Sequence, residues 1–336
     1  MVEPIQLPAE TQDIQRCLDV LTDGFNQVRA QLSTEPVAIS FAFPGPADYV
    51  HGVIGDLPNF PCFRGGIALG PYLQAKFGIP VYINNDGNLF AYGEALTGSL
   101  YQINQELETS GSYKRYKNLL GITLGTGFGG GVVIDSILLT GDNGCGGDVW
   151  CMRNQKYPNL IAEESVSKRA VTRVYGELTG QDTTLMTPKD IFDIAEGLVP
   201  GNQEAAKRSF FELGEVAGAA IANSLMIVDG LVVFGGGVAR AHKYILPGVM
   251  QALRQPLGTF GGAQFPCLQM SVYNLMDEED KNTFMEDHHQ TVTIPGTQTQ
   301  VSYDVDRKIG VTVSTLGASK AIQLGAYAFA LAQLDK

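Results

Sequence analysis

Basic residues are scarce in this sequence. Its 336 residues include 23 Lys and Arg against 35 Asp and Glu, which gives a formal net charge of -12 at pH 7. The basic residues do not form a long run. Because binding to a phosphate backbone requires a basic face, nucleic acid is excluded as an expected partner.

Long apolar runs and export signals are lacking as well. No uninterrupted apolar run reaches the ~20 residues that a helix needs to cross a bilayer. Residues 1–8 combine neither a basic start nor an apolar stretch. We therefore expect no membrane partner.

Cysteines are few, odd in number and scattered, which is typical of reduced thiols in the cytoplasm. The five are Cys17, Cys62, Cys145, Cys151 and Cys267.

Strand-like and helix-like patterns alternate along the chain, which predicts an α/β fold. The length of 336 residues favours two domains around a cleft. We expect the polar stretch 101–118 to form the crossing into the second domain, and we expect a surface excursion with weak strands at 274–308. Thr11 is the expected N-cap of the first helix, and Thr187 begins another with Pro188 at its first position. The predicted helices cover about 14–32, 68–77, 88–96, 202–228 and 318–334, and the predicted strands 37–43, 81–83, 119–124, 131–134, 137–139 and 231–234.

The strongest local signal is the glycine-rich segment Leu124–Gly131 between two apolar strands. Backbone N–H groups in such a turn can converge on phosphate oxygens, and glycine removes the Cβ that would block their approach. A strand follows the turn, so it is not a dinucleotide fingerprint, and no Gly-Lys-Ser/Thr closes it as a Walker A motif. A tight hairpin without a ligand is the alternative.

A second signal is Asn85-Asp86, directly after a buried strand. The carboxyl ends of strands are where open α/β sheets bind ligands. Asp86 can take the proton of a hydroxyl that attacks phosphorus, and Asn85 can hold a neighbouring hydroxyl. Alternatively, either residue simply caps the helix that follows.

Two further loops follow strands. Phe43–Asp48 carries Pro44-Gly45-Pro46 and either lines a substrate site or is only a turn. Gly235-Gly236-Gly237 either lets a flat base approach the backbone or is only a tight link to a helix.

Together these loops resemble the ROK family (repressor, open reading frame, kinase), sugar kinases with the actin-like ATPase, or ribonuclease H-like, fold. The resemblance runs with gaps from about residue 36 to the C-terminus. Its motifs are Phe43-Pro44-Gly45-Pro46, Ile79–Asn88 with Gly93-Glu94, Leu124–Gly131, Gly235–Val238, and Leu316-Gly317 with Leu324-Gly325-Ala326.

The resemblance implies an ATP- and Mg²⁺-dependent kinase acting on a hexose or N-acetylhexosamine, and by analogy a homodimer. Asp86 would be the catalytic base. The sugar would be bound by Gly45, Asn85, Asp148 and Glu163, and ATP by Thr126, Gly127, Gly129, Gly130, Gly236 and Gly237. Residues 1–110, completed by helix 318–336, would form the smaller sugar-side domain, and 111–317 the larger ATP-side domain.

The sequence departs from the family pattern near Cys151, which stands where the family has a histidine. No cysteine-rich zinc loop follows in 152–159, and Cys145 with Cys151 cannot supply four zinc ligands. We therefore expect no structural zinc. The missing histidine also weakens the case for glucose as the preferred sugar.

A second departure concerns residues 1–35, where nothing resembles the opening D-x-G-G-T hairpin of the family. Glu3–Pro8 instead resembles the stretch after that hairpin. The sequence thus predicts a chain lacking about 25 residues, roughly two short strands with turns, and so lacking N-terminal strands of its first domain. Half of the phosphate clamp would be absent, and weak or absent activity is expected.

The favoured function is therefore an ATP-dependent sugar kinase, glucokinase-like or N-acetylhexosamine kinase-like. The alternative is a non-catalytic sugar-binding protein of the same fold. A repressor from the same family is disfavoured, because residues 1–35 show one amphipathic helix and no basic recognition helix.

Overall fold

The computed structural model describes residues 3–8, 12–57 and 60–335. The helices are α1 Ile14–Arg29, α2 Leu69–Phe77, α3 Asp86–Leu96, α4 Ser99–Thr109, α5 Lys168–Thr179, α6 Pro188–Ala195, α7 Gln203–Val228, α8 His242–Arg254, α9 Glu278–Met285 and α10 Ala318–Leu334. The strands are β1 Ile39–Ala42, β2 Ala47–Asp48, β3 Val53–Ile54, β4 Val81–Asn84, β5 Leu119–Leu124, β6 Phe128–Ile134, β7 Ile137–Leu138, β8 Leu231–Gly235, β9 Pro256–Gly258, β10 Gln264–Pro266, β11 Ser271–Asn274, β12 His289–Thr293, β13 Gln300–Asp304 and β14 Lys308–Val313.

The first part of the chain forms a small layer around the parallel pair β1–β4. Helices α1 and α2 pack against this pair and bury an apolar core of their own, which includes Leu18, Phe43, Phe63, Leu73 and Ile83. Gly78 ends α2 in the left-handed conformation, at φ 69°, as its position after the apolar run predicts.

A larger sheet organises the rest of the chain. Within the described residues its strand order is β11-β14-β8-β5-β6-β7. Strands β11, β14, β8 and β5 run parallel, whereas β5, β6 and β7 are antiparallel neighbours. The carboxyl ends of β5 and β8 therefore meet at one edge, where loops bind ligands in α/β folds.

Helices cover both faces of this sheet. Helices α5 to α8 enclose the larger core on one face, with Phe210 and Phe234 fully buried. Helices α3, α4, α9 and α10 enclose the second core around Phe90 and Phe284. Helix α7 is long and apolar enough to span a membrane, but 61% of its most apolar window is buried inside this core.

Two glycines allow α3 and α10 to touch through their backbones. A Cβ on Gly93 would meet the carbonyl of Ala321, and a Cβ on Gly325 would meet the carbonyl of Leu89. Glu94, fully buried beside this crossing, accepts hydrogen bonds from Ser99 and Ser314. The motifs Gly93-Glu94 and Leu324-Gly325-Ala326 thus hold α3 and α10 in close contact.

Some sequence-based assignments were wrong. No helix was predicted within 101–118, but α4 occupies Ser99–Thr109 and buries Leu100, Ile103 and Leu107. The excursion 274–308 also begins in the core, because Phe284 of α9 is buried. Only the hairpin β12–β13 projects from the surface as predicted.

The beginning of α1 also differs from the prediction. Thr11, the expected N-cap, lies outside the described residues. Asp13 caps the helix instead, and its carboxylate accepts the N–H of Arg16 at 3.1 Å. The N-cap predicted at Thr187, with Pro188 at the first helical position, is confirmed, and Asp190 completes a capping box with Thr187.

Candidate functional site

The carboxyl ends of β1 and β4 bring the first two predicted loops together. The N–H of Phe43, directly after β1, donates to the carbonyl of Asn84 at 3.0 Å. The loop with Gly45 therefore lies beside Asn85 and Asp86, as the parallel pairing requires.

Asn85 and Asp86 occupy the beginning of α3. Asn85 is the N-cap, and its Oδ1 accepts the N–H of Gly87 at 2.8 Å. The Asp86 carboxylate accepts the same N–H at 2.9 Å and is exposed to solvent. The capping alternative thus holds for Asn85, while Asp86 keeps an accessible carboxylate at the positive end of the helix dipole.

The glycine turn is shorter than the sequence pattern suggests. It consists of Gly125, Thr126 and Gly127, because β6 already begins at Phe128. Thr126 is exposed, and a Cβ on Gly125 would meet nothing within 4 Å. An open backbone turn remains there for a ligand.

The following glycines serve a close approach of backbones. Gly129 and Gly130 pair with Thr123 and Ile122 in the β5–β6 ladder. A Cβ on Gly130 would collide with the carbonyl of Gly147. Gly129 and Gly130 therefore allow close packing of the backbone. Their contact with ATP stays a prediction.

Four glycines from three segments of the chain meet at this point, and we call Gly87, Gly130, Gly131 and Gly147 the glycine junction. A Cβ on Gly87 would lie against the carbonyl of Gly130, and one on Gly131 against the carbonyl of Gly87. Gly147 adopts φ +92° with its Cα region against Gly131. The junction joins the beginning of α3 to the main sheet and to the loop that carries Asp148.

Glu163 lies directly against the glycine turn. Its Oε2 accepts the N–H of Phe128 at 3.0 Å, and a Cβ on Gly127 would overlap this carboxylate. The N–H of Lys168 donates to the carbonyl of Gly125 at 2.9 Å. The segment from Glu163 to Lys168 is therefore hydrogen-bonded to the glycine turn at both of its ends. Arg169 approaches the other Glu163 oxygen at 3.9 Å.

The loop after β8 reaches the same edge of the sheet. Gly235 pairs with Thr123 near the end of β5. Gly236 has φ +93°, and a Cβ there would meet the backbone of Leu124. Gly237 is exposed and open on its Cα side. Gly236 and Gly237 are thus neighbours of the glycine turn.

Asp148 extends from the glycine junction in a polar setting. Although Asp148 is exposed at the surface, desolvation by the surrounding protein raises the pKa of its carboxyl above the ordinary value, and the neighbouring Trp150 indole and Cys145 thiol act against that rise. The thiol of Cys151 donates to the Asp148 main-chain carbonyl at 3.2 Å.

Sequence reasoning missed Tyr49, which lies among the predicted sugar-binding residues. Its hydroxyl donates to the carbonyl of Phe43 at 2.9 Å. Burial, chiefly, raises the pKa of Tyr49 to about 12, with the charges of Asp86 and Asp148 acting in the same direction. The available signal was an aromatic residue three positions beyond Pro46, directly after the segment Phe43–Asp48 predicted to line the substrate site.

Asn154 was also missed, in the loop where a zinc site was judged absent. It is fully buried, and its Oδ1 accepts the N–H groups of Lys156 and Tyr157, each at 3.0 Å. Its Nδ2 donates to the Ser165 hydroxyl at 2.8 Å and to the Ile161 carbonyl at 3.2 Å. One amide side chain therefore organises the segment between Asp148 and Glu163.

Comparison with known proteins agrees with this geometry. The family model described as ROK family matches residues 3–265. A glucokinase of Parabacteroides distasonis of known structure is 56% identical, with a TM-score of 0.89 over 98% of this chain and 91% of that one. An N-acetyl-D-glucosamine kinase of Vibrio parahaemolyticus is 26% identical over 77% of this chain and 90% of its own length.

A more distant likeness concerns the fold alone. The ROK family glucokinase of Streptomyces griseus, solved with glucose and AMPPNP, is 18% identical, with a TM-score of 0.60 over 94% of this chain and 88% of that one. The α/β architecture is that of the actin-like ATPases, as predicted. With a family match across most of its length, the chain belongs to the ROK family.

Proposed function

We propose that this protein is an ATP-dependent sugar kinase that transfers the γ-phosphoryl group of ATP to a hydroxyl of a hexose or N-acetylhexosamine. The glycine junction carries the proposal, because it sets Asp86 at the beginning of α3 against the strand that follows the glycine turn. The relatives named glucokinase and N-acetyl-D-glucosamine kinase support the same reaction class.

Asp86 is the proposed catalytic base. The sugar hydroxyl oxygen forms a bond to the γ-phosphorus, the bond from that phosphorus to the β–γ bridging oxygen breaks, and ADP leaves. The hydroxyl proton passes to the Asp86 carboxylate, which is exposed and therefore accessible to a substrate. Positioning of the two substrates contributes most of the rate in such a reaction.

The acceptor sugar is proposed to bind between the two layers. Gly45 and Asn85 line the side formed by β1 and β4, and Asp148 and Glu163 line the side formed by the main sheet. Carboxylates and amides suit the hydroxyls of a polyol, because each accepts or donates charge-assisted or bidentate hydrogen bonds.

The nucleotide is proposed to bind at the edge formed by β5 and β8. Thr126 and Gly127 contact its phosphates, with Gly129 and Gly130 beside them, and Gly236 and Gly237 lie along the adenosine. The open Cα sides of Gly125 and Gly237 support this assignment, because a ligand can approach the backbone there.

Mg²⁺ is proposed to enter bound to the nucleotide. Mg²⁺ prefers oxygen donors, and usually takes one or two carboxylates together with substrate phosphates. Across the described ranges, no three His, Cys, Asp or Glu side chains are grouped to hold a metal ion. The phosphates of ATP, with the nearby carboxylates, are a donor set that fits it.

The segment after Asp148 is proposed to be held without zinc. Asn154 supplies the cross-links of this loop, since both its donor hydrogens and both acceptor positions are used.

We also propose that residues 1–110 with 318–336, and residues 111–317, close around the substrates and exclude water. Reduced thiols favour the cytoplasm as its location.

The decisive experiment measures ADP release with glucose and N-acetylglucosamine in the wild type and in Asp86→Asn. We expect the variant to lose at least about a hundredfold in kcat, since general-base catalysis contributes that much. Asp23→Asn, exposed on α1, is the matched control and should keep wild-type turnover. Near wild-type turnover in Asp86→Asn would refute the assigned base. Sugar binding without ADP release by the wild type would favour the non-catalytic alternative.

A further inference from the structure

Tyr49 lies in the segment that follows β1, and its side chain packs back against the beginning of that segment. Its hydroxyl donates to the main-chain carbonyl of Phe43 at 2.9 Å. A Cβ on Gly45 would lie 3.1 Å from the same hydroxyl oxygen. The phenol therefore covers the loop that was assigned to the sugar.

The Asn85 side chain is oriented by its role as a cap. Its Oδ1 is used by the N–H of Gly87, so its amide nitrogen points away from the helix end. The Tyr49 hydroxyl uses its hydrogen in the bond to the Phe43 carbonyl. The lone pairs of its oxygen can therefore accept a hydrogen bond from the Asn85 amide nitrogen.

We propose that Tyr49 is a positioning residue of the acceptor site, which holds the Asn85 amide in the orientation that binds a sugar hydroxyl. The inference rests on the proposed function. Tyr49 lies outside the sequence motifs, on the loop that contributes the backbone of Gly45 to the proposed site.

The electrostatics of the group agree with this role. Burial, chiefly, and the charges of Asp86 and Asp148 raise the pKa of the Tyr49 hydroxyl, and the neighbouring Asn85 side chain acts against that rise. With a pKa of about 12, Tyr49 stays a neutral phenol, able to donate and accept at once, at every pH where the protein would work.

The test uses Trp150, the single tryptophan of the sequence, whose indole is a neighbour of the Asp148 carboxylate. Its emission reports binding of glucose or N-acetylglucosamine directly, and ADP release reports turnover. The variant is Tyr49→Phe, which removes only the hydroxyl. Tyr72→Phe, on α2 and packed against the same small core, is the matched control.

We expect Tyr49→Phe to raise both the sugar KM and the sugar Kd about tenfold, the effect of losing about one hydrogen bond. The KM for ATP and the melting temperature should match those of Tyr72→Phe, and kcat should fall less than about threefold. In an Asn85→Asp background, which keeps the capping oxygen but loses the amide donor, Tyr49→Phe should add less than about twofold.

Unchanged sugar affinity in Tyr49→Phe, or absence of any emission change with both sugars in the wild type, would overturn the inference. So would an unreduced tenfold effect in the Asn85→Asp background, since Tyr49 would then not act through Asn85. If the wild type binds sugar but releases no ADP, the proposed function fails, and the Kd values alone decide the role of Tyr49.

Discussion

The carboxylate of Glu163 fills the space that a side chain at Gly127 would occupy, and it accepts the N–H of Phe128 at 3.0 Å. A residue proposed for the sugar thus touches the turn proposed for the phosphates. The two proposed sites share one hydrogen-bonded contact, so a change in the turn should be felt on the sugar side.

The first prediction concerns Gly127→Ala. The added methyl must displace the Glu163 carboxylate, which breaks its bond to Phe128. We expect the KM for sugar and the KM for ATP both to rise about tenfold or more, as for the loss of one or two hydrogen bonds. Both constants are measured by ADP release at saturating concentrations of the other substrate.

Gly125→Ala is its control within the same turn. A Cβ there meets no protein atom within 4 Å, so Glu163 keeps its position. We expect this variant to raise only the KM for ATP. A Gly127→Ala protein with a normal sugar KM would show that the contact with Glu163 does not matter.

The sequence could predict that a glycine-rich turn lies between two strands, but not which glycines face a ligand. Gly125 is open, whereas Gly130 and Gly131 meet the backbones of Gly147 and Gly87. Those partners are remote along the chain, and no local pattern reveals them. Resemblance to a family had joined both kinds of glycine into one motif.

The same limit explains the helices that were missed. The apolar residues of α4, Leu100, Ile103 and Leu107, are spaced for a helix but separated by polar residues, which hid the stripe. Phe284 is the single buried residue of α9, so its burial depends on a sheet formed by distant strands. By contrast, α10 was predicted with its observed bounds, since its pattern is long and strongly apolar.

The second prediction concerns the crossing of α3 and α10. In Gly325→Ala the methyl meets the carbonyl of Leu89, and the helices must separate. We expect a loss of about 3 kcal/mol in the free energy of unfolding, the upper range for overpacking, measured by chemical denaturation. Ser319→Ala, exposed on the same helix, should change it by less than about 0.5 kcal/mol. Equal stability of the two variants would contradict this account of the glycine.

The third prediction concerns Asn154→Ala. The change leaves the N–H groups of Lys156 and Tyr157 and the Ser165 hydroxyl without their partner. We expect a loss of about 2 kcal/mol in stability and faster tryptic cleavage after Lys156. Thermal unfolding and timed proteolysis measure the two effects.

Asn159→Ala tests the same loop without touching the buried amide, because Asn159 is exposed. It should leave both the melting temperature and the cleavage rate unchanged. If Asn154→Ala behaves like this control, the loop is held by other contacts, such as the ion pair of Lys156 with Glu212.

The fourth prediction concerns pH and Asp148. Desolvation by the surrounding protein raises the pKa of its carboxyl above the ordinary value of 3.8, so the folded protein holds this proton more tightly than the unfolded chain does. Its contribution to stability is therefore fully present below pH 3.8 and is lost as the pH rises through the higher folded-state value. Sugar binding by the ionised carboxylate should follow the opposite course and strengthen above that value.

Trp150 should make the titration of Asp148 visible, because its indole is a neighbour of the carboxylate and affects its pKa. We expect the Trp150 emission of the wild type to show an acid-side transition with its midpoint above pH 3.8, and Asp148→Asn to lose it. Asp142→Asn, exposed in the same loop, should retain the transition. If it persists in Asp148→Asn, another group titrates near Trp150, and the raised pKa cannot belong to Asp148.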